Sequence, residues 1–189
     1  MNIYGNKVVL RAIELEDMEM MRELMNNPHI EHMVCGWSYP ISKVEQLKWF
    51  ENVNNNSRNF RFIIEMIDTH EAVGLVSLYD IDWKNRSASH GIKLCDKAPK
   101  GCGIGTDSVM ALMRYAFDEL QMVRLNGAWV EYNIPSISLY KKCGWSIEGK
   151  KKKAKYYDGN YYDVLIGGIL KEDYIAIRKE LKWDPYRFD

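Results

Sequence analysis

The chain has 189 residues, of which 47% are apolar and 28% charged, ordinary usage for one globular unit with a single core. Its 26 basic and 26 acidic residues cancel to a formal charge of zero, so no overall field draws it to nucleic acid or to an anionic membrane. No apolar run is long enough to span a bilayer and the first residues lack the pattern of a signal peptide, so a cytoplasmic protein is expected.

In chain order, Val8 to Ile13 reads as a short strand. Glu14 to Asn26 carries Leu15, Met18, Met21, Leu24 and Met25 at helical spacing and stops before Pro28. Ser42 to Val53 reads as a second helix, with Ser42 as N-cap and Glu45 completing a capping box. Three strands follow as a meander, Asn59 to Ile67, Ala72 to Ile81 and Ser87 to Leu94, joined by polar turns.

Next comes Lys100-Gly101-Cys102-Gly103-Ile104-Gly105-Thr106, opening into the helical pattern Val109, Leu112, Met113, Ala116, Phe117, Leu120. Alternate glycines let backbone N–H groups turn inward, and the following helix adds its unpaired donors and partial positive charge. A phosphate-bearing ligand is the chemistry this suits. The loop is neither a Gly-Lys-Ser/Thr triphosphate loop nor a Gly-x-Gly-x-x-Gly dinucleotide fingerprint. The helix, about Gly105 to Leu120, leads into a strand from Val123 to Val130 and a helix from about Pro135 to Cys143, with proline in its first turn. Strands Ser146 to Tyr157 and Tyr161 to Leu170 meet at the turn pair Asp158-Gly159, and a polar helix closes the chain.

Cys35, Cys95, Cys102 and Cys143 stand apart without zinc-site spacing and suit a reducing compartment. His29 and His32, at i, i+3, are two potential ligands without a third, so no metal is assigned. The run Lys150 to Lys153, with Lys155, reads as a solvated strand end unless it faces a cleft, where it would attract an anionic ligand.

Lys100-x-x-Gly103-x-Gly105, followed by Asn133, Tyr140 and Gly144-Trp145, resembles the signature of the Gcn5-related N-acetyltransferase superfamily. The opening Val9 to Asp17, Phe117 to Leu120, Asn133-x-x-Ser136 and Asp158 to Asp163 are similar to its branch of ribosomal-protein N-terminal and spermidine acetyltransferases. The resemblance covers nearly the whole chain. It implies an α/β (α+β) fold in one domain, residues 1–189. Its mixed, mostly antiparallel sheet of about seven strands would be flanked by helices, with the fourth and fifth strands splayed. Those strands would be Ser87 to Leu94 and Val123 to Val130, and the gap would receive the pantetheine arm of acetyl-CoA as a pseudo-strand.

By the same resemblance Gly101, Cys102, Gly103, Ile104, Gly105 and Thr106, with Lys100, hold the pyrophosphate, while Ile92, Leu94, Asn133 and Ser136 also contact the coenzyme. Tyr140 stands at the tyrosine that protonates the departing thiolate. Many relatives carry a strand glutamate as base where this chain has Ser89. His90 beside it is a candidate, although strand alternation forbids both from facing one site. Asp80 stands where polyamine-acetylating relatives have a glutamate and is expected to orient the amine. Trp37, Tyr39 and Trp83, with Asp80, are the expected acceptor contacts, and their aromatic character places an amino sugar first among small primary amines, ahead of a polyamine or a protein N-terminus. A homodimer is expected by resemblance. A coenzyme-binding regulator without turnover and an interaction module whose glycine loop is only a turn are the alternatives.

Overall fold

A computed structural model describes residues 1–36, 39–52 and 58–185. Eight strands form one sheet: β1 (Ile3–Tyr4), β2 (Val8–Arg11), β3 (Phe60–Met66), β4 (Ala72–Asp82), β5 (Ser87–Leu94), β6 (Arg124–Val130), β7 (Ser146–Tyr157) and β8 (Asn160–Leu170). Their spatial order is β1-β2-β3-β4-β5-β6-β8-β7. Every pairing is antiparallel except β5 with β6, as a crossover between these neighbours requires. The helices are α1 (Met18–Asn26), α2 (Pro28–Met33), α3 (Lys43–Asn52), α4 (Ile104–Arg114), α5 (Ile134–Lys142) and α6 (Lys171–Glu180).

The larger core lies where α4 and α5 cover one face of the sheet. Val109 to Met113 are buried, packed with Val76, Leu78, Ala88 and Leu125 from the strands. A smaller cluster, Ile13, Met18, Met21 and Ile63 with Trp49 and Phe50, sits on the opposite face under α1 and α3. Strand alternation divides the two: along β4, Val76 and Leu78 are fully buried while Leu75, Ser77 and Tyr79 are only partly so.

Several elements depart from expectation for local reasons. The first helix begins with a 3₁₀ turn at Leu15–Asp17. Pro28 does end α1, but it also starts α2: it occupies the first turn, and the Asn27 side chain caps it by accepting from His29 N at 2.9 Å. The helix after the glycine loop gives way to a π turn at Tyr115–Glu119. Strand β1, an eighth, pairs only two residues and lies below the length a periodicity can reveal. Ser42 and Glu45 form the expected capping box, with Glu45 N to Ser42 Oγ at 3.2 Å and Ser42 N to Glu45 Oε2 at 2.9 Å. Val53, the expected end of that helix, lies outside the described residues.

The pairing that matters for function is the incomplete one. β5 and β6 meet only at Ser87–Arg124, Ala88–Leu125 and Ser89–Asn126. Beyond these, β5 continues on β4 as far as Leu94, and β6 continues on β8 as far as Val130. The sheet therefore splays between His90–Leu94 and Gly127–Val130, leaving two facing edges that do not pair with each other.

Candidate active site

A cavity of about 320 Å³ occupies the splay. His90, Gly91, Ile92 and Lys93 of β5 line one side, and Ala128 and Trp129 of β6 with Asn133, Ser136 and Tyr140 line the other. The remaining wall is made by Leu75, Ser77 and Tyr79 of β4, by Leu24 and Met25 of α1, and by Glu31 and Met33 to Gly36 at the end of α2. Because consecutive residues of β5 all reach it, the cavity runs through the sheet from the α1–α2 face to the α5 face.

Tyr140 is 3% exposed, and its hydroxyl lies 2.8 Å from His90 Nδ1. Trp145 and Trp129 meet the phenol ring edge-on at centroid distances of 4.9 and 5.1 Å, fixing its direction. Burial raises the phenol well above its ordinary range. The same burial pushes the His90 imidazole down to about 3, so it is neutral at any working pH and a poor base for an amine. His90, not Ser89, is the neighbour that faces the cavity.

Asn133 caps α5, its Oδ1 accepting from Ser136 N at 3.1 Å, while its amide donates to Met33 O at 2.7 Å. It thus ties α5 to the end of α2 across the mouth of the splay. Ser136 supplies the backbone donor and not the cap.

The glycine loop ends against this region: a Cβ on Gly105 would touch Leu94 and Leu139. Gly101 and Gly103 have φ of 74° and 83°, the left-handed region that favours glycine. Gly103 is the N-cap of α4 and brings no side-chain acceptor, so the first-turn donors of α4 are left for a ligand. Lys100 and Cys102 are exposed, and Thr106 lies in the first turn. One contact is invisible in sequence: Lys7 Nζ donates to Cys102 O at 2.6 Å, bracing the loop from the β1–β2 turn.

The expected acceptor residues fare less well. Asp80 is exposed, sits in a β-bulge with φ 51° and does not line the cavity: the β4 residues that do are Leu75, Ser77 and Tyr79, so alternation already sets Asp80 on the other face, and the bulge turns it out to solvent. Trp83, in the β4–β5 turn against Phe60, and Tyr39, 71% exposed, are also outside its lining. Trp37 lies outside the described residues. In their place stand Tyr79, Glu31 and Lys93, with Lys155 behind. Lys155, 6% exposed, bonds Glu31 Oε1 at 3.2 Å and Gly36 O at 2.8 Å. The rest of the lysine run is exposed, Lys150 pairing with Asp163 at 2.7 Å. Burial lowers Lys93, with Glu31 pulling the other way. The alternation of β4 could have pointed to Tyr79, and Asn27-Pro28 to a helix carrying Glu31; nothing in sequence distinguishes Lys155. His32 stacks between Tyr132 and Tyr157, with centroids at 4.4 and 4.0 Å.

A sheet splayed beside an uncapped helix N-terminus, with a buried tyrosine at the gap, is the arrangement that the resemblance to acetyltransferases leads one to expect. The Acetyltransferase (GNAT) domain family matches residues 7–146, and the chain belongs to that family. It is an N-acetyltransferase. Its relatives include the SPbeta prophage-derived uncharacterized N-acetyltransferase YokL of Bacillus subtilis, 28% identical over 90% of this chain and 93% of that protein. The spermidine N(1)-acetyltransferase of Escherichia coli is 27% identical over 93% of this chain and 92% of that one. Among solved structures, the spermidine N-acetyltransferase of Vibrio cholerae in complex with CoA and spermine superposes with a TM-score of 0.81 at 26% identity, covering 89% of this chain and 98% of that one. Another structure of the Vibrio cholerae enzyme, at 25% identity and a TM-score of 0.76, is dodecameric; the match covers 89% of this chain and 96% of that one. Among the described residues no helix is long and apolar enough to cross a membrane.

Proposed function

We propose that this enzyme moves the acetyl group of acetyl-CoA to a primary amine of a small molecule within a ternary complex, with a polyamine as the first acceptor. The observation that carries the reading is the cavity through the splay: it has Tyr140 on the coenzyme side and Glu31 on the α1–α2 side. The donors of Gly101 to Thr106 suit a pyrophosphate, and the facing edges of β5 and β6 suit the amides of the pantetheine arm. Ile92, Leu94, Asn133 and Ser136 then surround the arm. Tyr140 gives its proton to the departing sulfur.

The polyamine reading takes support from relatives named for spermidine and displaces the amino sugar favoured by Trp37, Tyr39 and Trp83. Glu31 replaces Asp80 as the carboxylate that orients the ammonium. In the free enzyme it is paired with Lys155, so a cationic acceptor has to compete with that lysine and weaken in salt. We further propose a homo-oligomer of cytoplasmic residence, the dodecamer of the Vibrio relative being a larger assembly than a homodimer.

The test is thiol release from acetyl-CoA with spermidine, spermine, an amino sugar and a short peptide as acceptors. Release with the polyamines alone is expected. Release with the sugar or the peptide alone would overturn the acceptor, and coenzyme binding without release from any amine would favour a regulator.

A further inference from the structure

His90 is more than packing around Tyr140. We infer that His90 is a positioning residue that carries its proton on Nδ1 and donates it to the Tyr140 hydroxyl oxygen, leaving the phenol's own proton free to pass to the leaving thiolate. The inference rests on the acetyl-transfer reading for its kinetic consequence, but its structural content stands apart from turnover.

Three observations converge. The Nδ1 to Oη distance is 2.8 Å between two groups that are each 3% exposed, so the bond is screened from water. The imidazole is edge-on to both Tyr140 and Trp145, at centroid distances of 5.4 and 5.6 Å, which holds it in one orientation. Its Nε2 is buried with no partner among the described residues. An imidazole held neutral by burial has one ring proton to place.

If that proton were on Nε2, a buried donor would be left unmet and the phenol would spend its own proton on Nδ1, away from the cavity. With the proton on Nδ1, a bare lone pair is what remains unmet, and the phenol O–H is available to the cavity. The second arrangement also answers a chemical difficulty. Burial holds Tyr140 well above its ordinary range, making it a reluctant acid. An N–H aimed at the oxygen stabilises the phenolate and offsets that.

The step balances. The amine nitrogen bonds to the acetyl carbon as the C–S bond breaks and its electron pair leaves on sulfur. Tyr140 transfers its proton to that sulfur and keeps the O–H pair as phenolate, held by His90 Nδ1–H. The proton shed by the nitrogen returns to the phenolate through solvent. His90 keeps its own proton throughout and acts only through Tyr140.

Two measurements on the full chain test this. A long-range proton–nitrogen NMR spectrum, with the His90 ring identified by its loss in His90→Phe, should find the proton on Nδ1; a proton on Nε2 overturns the inference whether or not any amine is acetylated. In thiol-release kinetics His90→Phe should lower kcat roughly tenfold to a hundredfold, the loss of a donor to a charged acceptor, with the KM for acetyl-CoA little changed. His90→Gln, which retains an N–H, should recover part of the loss. In a Tyr140→Phe background His90→Phe should cost nothing further, whereas an additive loss would mean that His90 does not act through the phenol. Absence of turnover in the wild type with every amine would defeat the acetyl-transfer reading and leave the spectrum to decide the tautomer.

Discussion

Asp107→Asn should destabilise this protein far more than an isosteric change on a helix ordinarily does. Asp107 is 5% exposed in the first turn of α4, yet its carboxylate turns away from the glycine loop to gather four donors. Oδ1 accepts from Asn6 N at 3.0 Å and Trp183 Nε1 at 2.6 Å; Oδ2 accepts from Lys7 N at 2.7 Å and Val8 N at 3.0 Å. An amide can satisfy only one of these pairs, and its NH₂ then faces two donors. At about 1–3 kcal/mol for each buried donor left unmet, the loss is about 2–6 kcal/mol. For a chain of this size that lowers Tm by on the order of 10 °C. Thermal denaturation followed by circular dichroism would measure it. The function should suffer too, because the same turn carries Lys7, whose Nζ holds Cys102 O, so the KM for acetyl-CoA should rise. A Tm shift below about 2 °C would refute the reasoning, since it would mean that the turn finds other acceptors at little cost.

Gly103→Ala should raise the KM for acetyl-CoA more than it lowers Tm. The new Cβ meets nothing closer than Lys7 Nζ at 3.7 Å, and the strain of a left-handed alanine is only about 1–2 kcal/mol, but it falls on the residue that aims the donors. Equal effects on binding and stability would argue for a turn without a ligand. Glu31→Gln should raise the KM for spermidine while leaving that for acetyl-CoA unchanged, and salt should cease to matter; steady-state kinetics at two ionic strengths would check both. His90 makes stability depend on pH. Its folded value of about 3 lies below the ordinary 6.5, so between these the unfolded chain binds more protons. The stabilisation from a neutral His90 is complete above about pH 6.5 and is lost toward pH 3, at up to about 1.4 kcal/mol per pH unit. Urea melts of the wild type and His90→Phe should diverge below neutrality; parallel slopes would show that this ring is not the source.

Much of the frame is readable because it rests on local chemistry. Ser42 and Glu45 announce α3, and Asp158-Gly159 supplies the two positive φ values, 45° and 79°, that a tight hairpin turn demands. The strand Ser87–Leu94 has the bounds that the sequence pattern after the polar turn Trp83 to Arg86 predicts. What escapes is set by distant partners. Lys7 reaches Cys102 across 95 positions, Lys155 reaches Glu31 across 124, and Asp107 commits its carboxylate to residues a hundred positions upstream. Asp80 is misplaced for a different reason: only the resemblance to polyamine-acetylating relatives puts it at the site, whereas the alternation of β4 sets it opposite Ser77 and Tyr79 and a bulge then turns it out to solvent.

The difficulty over Ser89 and His90 has a more general origin. Alternation along a strand sorts residues into two faces, and a site is normally assumed to lie on one of them. Here the site lies in the sheet. The pairing of β5 with β6 stops at Ser89–Asn126, and from His90 onward both faces of β5 border the same gap. His90 and Ile92 reach the cavity from the α5 side, and Gly91 and Lys93 reach it from the α1–α2 side. Ser89, the last paired residue, is held in the ladder one step too early. The splay therefore decides which residues can act: on the proposed reading it gives coenzyme and acceptor separate entrances to one point, and it puts the imidazole at the first unpaired position, against the phenol of α5. A change that extended the ladder by one pair would close the gap over Tyr140 and should abolish coenzyme binding before it altered any catalytic side chain.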